Sequence, residues 1–257
     1  MAEAVRAPEC PVSVSDLPFA GRTGRDVRIA VIDSGVHPDH PHIDAGRIGD
    51  GTTVLPDGSL EQGPEATLDR LGHGTAVTAA IQEKAPGALC IPARVFRDAL
   101  KTSAAALIGA IRWSIDNGAD IVNLSLGSVN TSHEPAFARI ADEALAAGVL
   151  LVAARDANGS RCYPGSLAQV VGVALDWDCP REYYRMESDE GQIFFPASGY
   201  PRPIPGVPLQ RNLYGISFAV AQISGFAALA CEEVGGGRDR HRVDAMRKAL
   251  IREARSS

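Results

Sequence analysis

Short apolar, β-branched runs recur along this chain, and a segment with helical spacing separates each from the next. DVRIAVIDSG, residues 26–35, opens the series as a buried strand and gives way to a polar, His-rich turn. HGTAVTAAIQEKA then reads as a helix closed by Pro86–Gly87, ALCIPARVF as a strand, and SAAALIGAIRWSIDNG as a helix ending at Asn117–Gly118. ADIVNLSLG is the next strand, EPAFARIADEALAAG a helix running to Gly148, and VLLVAA and QVVGVAL are two further strands. A strand that is apolar at every position is covered on both faces, and parallel neighbours need a helix-sized crossover between them. The alternation therefore predicts parallel β-α-β units: an α/β fold with a mainly parallel, doubly wound sheet. After Trp177 the pattern loosens into Pro- and Gly-rich turns up to Asn212, and two helices around 217–234 and 241–254 close the chain.

A chain of 257 residues suits a single domain, with roughly the first two dozen residues as an N-terminal extension. Its net charge of -6 argues against nucleic acid as a partner, since phosphate-backbone binders present a basic face. The dense basic run RDRHR, residues 238–242, reads as a solvated helix face. No apolar run reaches the ~18 residues of a membrane helix, and the N-terminus lacks a signal-peptide core, so no membrane partner is expected. Five cysteines, an odd number without CxxC pairs, read as reduced thiols in a cytoplasmic protein.

In doubly wound sheets, functional groups gather where strands end. Three polar motifs fall at such ends: Asp33-Ser34-Gly35, Ser125-Leu126-Gly127 and the RDANG loop at 155–159. Neither GxGxxG nor GxxxxGK[ST] follows any strand, which weakens the nucleotide-binding use of this architecture. A serine in YGISFAVAQISG, Ser217, starts a helix, and taken alone it reads as a cap. Asp33 behind IAVI and His73 in LGHGTAV change that reading, because they supply a base and a group to orient it.

The segments VIDSGVHPDHPHI, HGTAVTAAI, ADIVNLSLGS, YPGSLAQVVGV and YGISFAVAQISG, with the order Asp, His, Ser, resemble the subtilisin-like serine peptidases. The resemblance runs from about Val27 to Leu229 and implies a three-layer α/β/α sandwich. It implies a serine endopeptidase acting on a peptide or protein: Ser217 the nucleophile, His73 the general base and Asp33 the group that orients and stabilises the imidazole. Ser125, Leu126 and Gly127 would line the first specificity pocket and pair with the substrate backbone, with the segment from Ala99 to Thr102 across the cleft. Cys162, before Tyr163-Pro164, would stand at the base of that pocket.

This chain departs from the family pattern in several places. Where the family carries its oxyanion-hole asparagine, gap-free counting from Gly148 gives Ala157 and a one-residue bulge gives Asn158; Asn158 is the expected donor. Around the serine stand Ile216, Ala221 and Gln222 in place of the family's usual residues. Arg155 and Arg161 flank the pocket loop and invite an acidic substrate side chain, though two surface arginines are the simpler reading. HPDHPH, residues 37–42, suggests a metal but lacks a second cluster of ligands, so no metal is expected. The calcium site of secreted relatives is expected to be missing, since His42 takes its turn position and the helix runs straight into QEKAPGA. With no recognisable inhibitory prodomain, the expectation is an intracellular enzyme of restricted specificity, such as one that processes a precursor or leader peptide. The rival reading is a catalytically degenerate fold of the same family that holds a peptide without cutting it.

Overall fold

The computed structural model describes residues 17–63, 65–157, 159–208 and 211–255. Its elements, in chain order, begin with β1 (Arg28–Asp33), β2 (Thr52–Val54), β3 (Leu60–Glu61), α1 (His73–Lys84), β4 (Leu89–Arg94), α2 (Ala104–Asp116) and β5 (Ile121–Leu124). They continue with α3 (Glu134–Ala146), β6 (Leu150–Ala154), β7 (Asp156–Ala157), β8 (Ser160–Arg161) and β9 (Val171–Leu175). The last are β10 (Glu187–Asp189), β11 (Gln192–Ala197), α4 (Ile216–Val234) and α5 (Arg240–Glu253). Nine strands form one sheet in the order β10-β11-β9-β6-β5-β1-β4-β2-β3. From β11 to β2 every neighbouring pair is parallel, and β10 and β3 close the two edges antiparallel.

The period of two along the central strands sorts side chains between two cores. Ile29 and Val31 of β1 pack with α1, α4 and α5, while Ala30 and Ile32 pack with α2 and α3 on the other face. β6 divides the same way, Leu150 and Val152 to the first core and Leu151 and Ala153 to the second. Each large side chain withdrawn from water in this way contributes about 1.5–3 kcal/mol. The result is the three-layer α/β/α sandwich that the alternating pattern and the family resemblance predict.

Two expectations need correction. The stretch after Trp177 is not all turns: β11 extends the sheet beside β9, and β10 folds back on it. The two connecting residues, Glu190 and Gly191, have φ of 49° and 79°, the left-handed geometry that a two-residue hairpin on a twisted sheet requires. Also, α4 is long and apolar enough to cross a membrane by composition. It is instead the central helix of one layer, with 78% of its apolar window buried inside the fold.

Chain order places β1 at the middle of the sheet, with β4 on one side and β5 on the other. The crevice outside the carboxyl ends of β1, β5 and β6 is the topological switch point, where such sheets carry their ligands.

Candidate active site

Asp33, the last residue of β1, is fully buried, and its Oδ1 lies 2.7 Å from His73 Nδ1. The same oxygen accepts from the Ser34 N–H at 2.8 Å, and Oδ2 is buried without a hydrogen-bond partner among the described residues. His73 is the first residue of α1, and its side chain is 13% exposed, so one edge of the ring still reaches the crevice. Burial is the largest single influence on the imidazole and lowers its pKa. The hydrogen bond and charge of Asp33, with the charge of Asp69, outweigh it and hold the pKa above the ordinary 6.5.

The turn after β1 and the start of α1 are locked together. Gly74 N–H donates to Ser34 Oγ at 2.8 Å, and a Cβ on Gly74 would come within 2.2 Å of the Gly35 carbonyl oxygen. Only glycine at 74 permits that approach, which keeps the His73 backbone against the end of β1. Asp69 supplies the cap for this helix: Oδ1 accepts from the N–H groups of Leu71 and Gly72, and Oδ2 from the N–H and hydroxyl of Thr75. Sequence reasoning missed Asp69, because the position directly before the helix, where a capping side chain is normally sought, is Gly72.

Ser217 is the second residue of α4 and is half-buried. Gly215 precedes the helix at φ 140°, a conformation side-chain-bearing residues rarely adopt, and its N–H donates to the Gly199 carbonyl at 2.8 Å. Phe218, the next residue, sets its ring 5.9 Å from the His73 imidazole, so the start of α4 and the start of α1 meet at the crevice. The Ser217 hydroxyl and the imidazole are not hydrogen-bonded to each other, and catalytic bonds of this kind commonly tighten only in the complex with substrate. The helix N-terminus beneath Ser217 also places unpaired N–H groups and a partial positive charge there.

The structure brings the expected pocket residues together. Ser128 and Tyr163 exchange backbone hydrogen bonds of 2.8 Å, and a Cβ on Gly127 would lie 2.7 Å from Cys162 Sγ. Ser125 is buried, and its Oγ accepts from Asn123 Nδ2 at 3.2 Å, while Asn123 Oδ1 accepts from Ser224 of α4 at 2.9 Å. This chain of buried polar groups ties the end of β5 to α4, and sequence reasoning did not single it out. Leu126 is partly buried against the α2–α3 core. Residues 97–102, across the cleft, form bends and irregular backbone rather than an extended strand.

Cys162 is 2% exposed, and burial, with a smaller contribution from the charge of Asp156, pushes its thiol up to about 11. It is a protonated, apolar wall at neutral pH and a poor target for thiol reagents. Arg155 and Arg161 both pair with the edge hairpin, Arg155 with Asp189 and the more exposed Arg161 with Glu190. β7 and β8 pair on either side of 158–159, and Asn158 itself lies outside the described residues. Among the described residues no three His, Cys, Asp or Glu side chains gather as a metal-binding group.

The model of the subtilase family, Peptidase_S8, matches residues 24–175, a span that holds Asp33, His73, Ser125–Gly127 and Cys162 but ends before Ser217. Subtilisin DY from Bacillus licheniformis is 28% identical over 225 residues, covering 81% of this chain and 78% of that protein. Subtilisin E from Bacillus subtilis (strain 168) is 28% identical over 228 residues; the match covers 81% of this chain, and this chain spans 56% of that protein's length. Among solved structures, a lanthipeptide protease superposes with a TM-score of 0.64 at 21% identity, over 86% of this chain and 79% of that one. A cold adapted subtilisin-like serine proteinase superposes with a TM-score of 0.63 at 20% identity, over 87% and 81%. At those identities the two structures speak to the fold.

Proposed function

This chain belongs to the subtilase family of serine endopeptidases, and from that premise we propose that Asp33, His73 and Ser217 carry out its hydrolysis of peptide bonds. The observation that carries the reading is the 2.7 Å bond between a fully buried carboxylate and an imidazole whose other edge faces the crevice. Asp33 fixes His73 with the proton on Nδ1, which leaves Nε2 as the base for the Ser217 hydroxyl. Ser217 Oγ attacks the scissile carbonyl, and His73 takes its proton and returns it to the leaving amine. Water then enters by the same route and releases the acyl group from Ser217. The N–H groups at the start of α4, with the Asn158 amide, are the donors for the oxyanion, where losing one costs about 10²–10³ in kcat.

The substrate is a peptide held extended against Ser125–Gly127, so backbone pairing supplies affinity and the pocket supplies choice. Cys162 fills space at the pocket base against Gly127 and narrows the side chains accepted, which supports a restricted substrate such as a precursor or leader peptide. A reducing, cytoplasmic location is part of the same proposal, supported by the four cysteines among the described residues, which are all free and buried. The same proposal takes no metal and no calcium site, on the ground that His42 stands at the turn position where secreted relatives supply a carboxylate.

A fluorophosphonate titration read by intact mass tests the reading. Wild type is expected to gain one adduct and Ser217→Ala none, since labelling requires an activated hydroxyl. A folded wild type that takes no adduct would instead support a peptide-binding protein. Profiling on unfolded casein separates the narrow from the broad enzyme, because cleavage at many sites contradicts the restricted pocket.

A further inference from the structure

Residues 165–168, which follow Tyr163-Pro164, share a cavity of about 240 Å³ with β9, β11 and α5. Most of its wall is apolar, with Leu167, Val171, Phe194 and Ile251 among the lining residues. The polar exceptions include two arginines and a serine. Arg155 is already engaged: it donates to Asp189 Oδ2 at 2.8 Å and lies 3.9 Å over the Phe194 ring.

Arg247 of α5 is different. Its Nη1 donates to the Ala168 carbonyl at 2.9 Å, while Nε and Nη2 are buried and have no partner among the described residues. Ser166, another residue of the cavity lining, likewise has its Oγ buried and without a partner among the described residues. Buried donors left without acceptors are costly, a charged one most of all, so a residue held this way is primed for an acceptor. Burial already pulls the Arg247 pKa down, and Asp244, one turn earlier on the helix, opposes that only in part. Nε–H and one Nη2–H project from the same edge of a guanidinium, the planar fork that matches two carboxylate oxygens.

We propose that this cavity binds a carboxylate carried on a small apolar group, taken by the Nε–Nη2 edge of Arg247 and the Ser166 hydroxyl. The apolar part rests against Phe194 and Ile251. Two sources share that chemistry: a free small acid, and the last residue of a peptide chain. The site adjoins the cleft, because Ser166 N–H donates to the Cys162 carbonyl at 2.9 Å and Cys162 abuts Gly127. It needs no assumption about Ser217, and it stands or falls apart from the proposed hydrolysis.

Saturation-transfer NMR with phenylacetate, and separately with Ala-Ala-Leu bearing a free C-terminus, tests the proposal on the full chain. Phenylacetamide and the amidated tripeptide serve as matched neutral probes. At least one acid is expected to bind saturably, with its amide and the Arg247→Met protein each weaker by about tenfold or more. Which acid binds identifies the source. Ser166→Ala gives a smaller loss, and with the acid–amide comparison on wild type it decides the matter if Arg247→Met does not fold. Failure of both acids to bind, amides that bind as well as acids, or acid binding unchanged in Arg247→Met would each overturn it.

Discussion

At the scale of single residues, the Asp33–His73 pair sets a pH signature. The imidazole must be neutral to accept a proton from Ser217, and its pKa in the fold is raised above 6.5. Activity is therefore lost as pH falls through that raised value, and the acid limb of kcat/KM should stand above 6.5. Asp33→Asn removes the carboxylate charge and leaves at most a neutral bond to the imidazole, so that burial, the largest influence, is opposed chiefly by the charge of Asp69. The limb should then move to lower pH while kcat drops by about 10⁴-fold. A pH–rate series on wild type and Asp33→Asn checks both parts. An unmoved limb would mean that the titrating group is not His73.

At the scale of elements, α1 depends on a residue outside it. Asp69 accepts four hydrogen bonds at the helix entry and adds negative charge beside His73. Asp69→Ala should cost about 2 kcal/mol and lower Tm by about 4–8 °C. It should also reduce kcat more than KM changes, since His73 is the first residue of the helix that loses its cap. Thermal melts and steady-state kinetics on one preparation would show whether stability and turnover fall together. Asp69 escaped sequence reading because a lone acid in a polar loop carries no periodicity, whereas the helix it caps does. The same distinction runs through the fold. β1, β4, β5, β6 and β9 were legible as apolar runs because both their faces are covered. The β10–β11 hairpin was not, since β10 is exposed throughout and Pro196 interrupts the apolar run of β11. In the candidate site, Asp33, His73 and Ser217 stood out through their family segments. Asn123 and Ser224 carry their link between β5 and α4 only through contact in space, 101 positions apart.

At the scale of the whole molecule, the sheet separates two cores but also joins them. Ile140 of α3 and Ile223 of α4 are each buried, on opposite faces. Ile140→Val and Ile223→Val should each cost about 1 kcal/mol, because each deletes one buried methylene. No packed side chain is shared between them, so the double variant should lose the sum to within about 0.5 kcal/mol. β1, β4, β5 and β6 each contribute side chains to both cores, so neither helical layer can release these strands without exposing the other. A single cooperative unfolding step is the consequence, with both substitutions moving the same midpoint. Urea denaturation followed by Trp fluorescence and far-UV circular dichroism tests this, on a Ser217→Ala background so that self-cleavage does not consume the unfolded chain. Non-coincident transitions from the two probes would mean that the layers part separately.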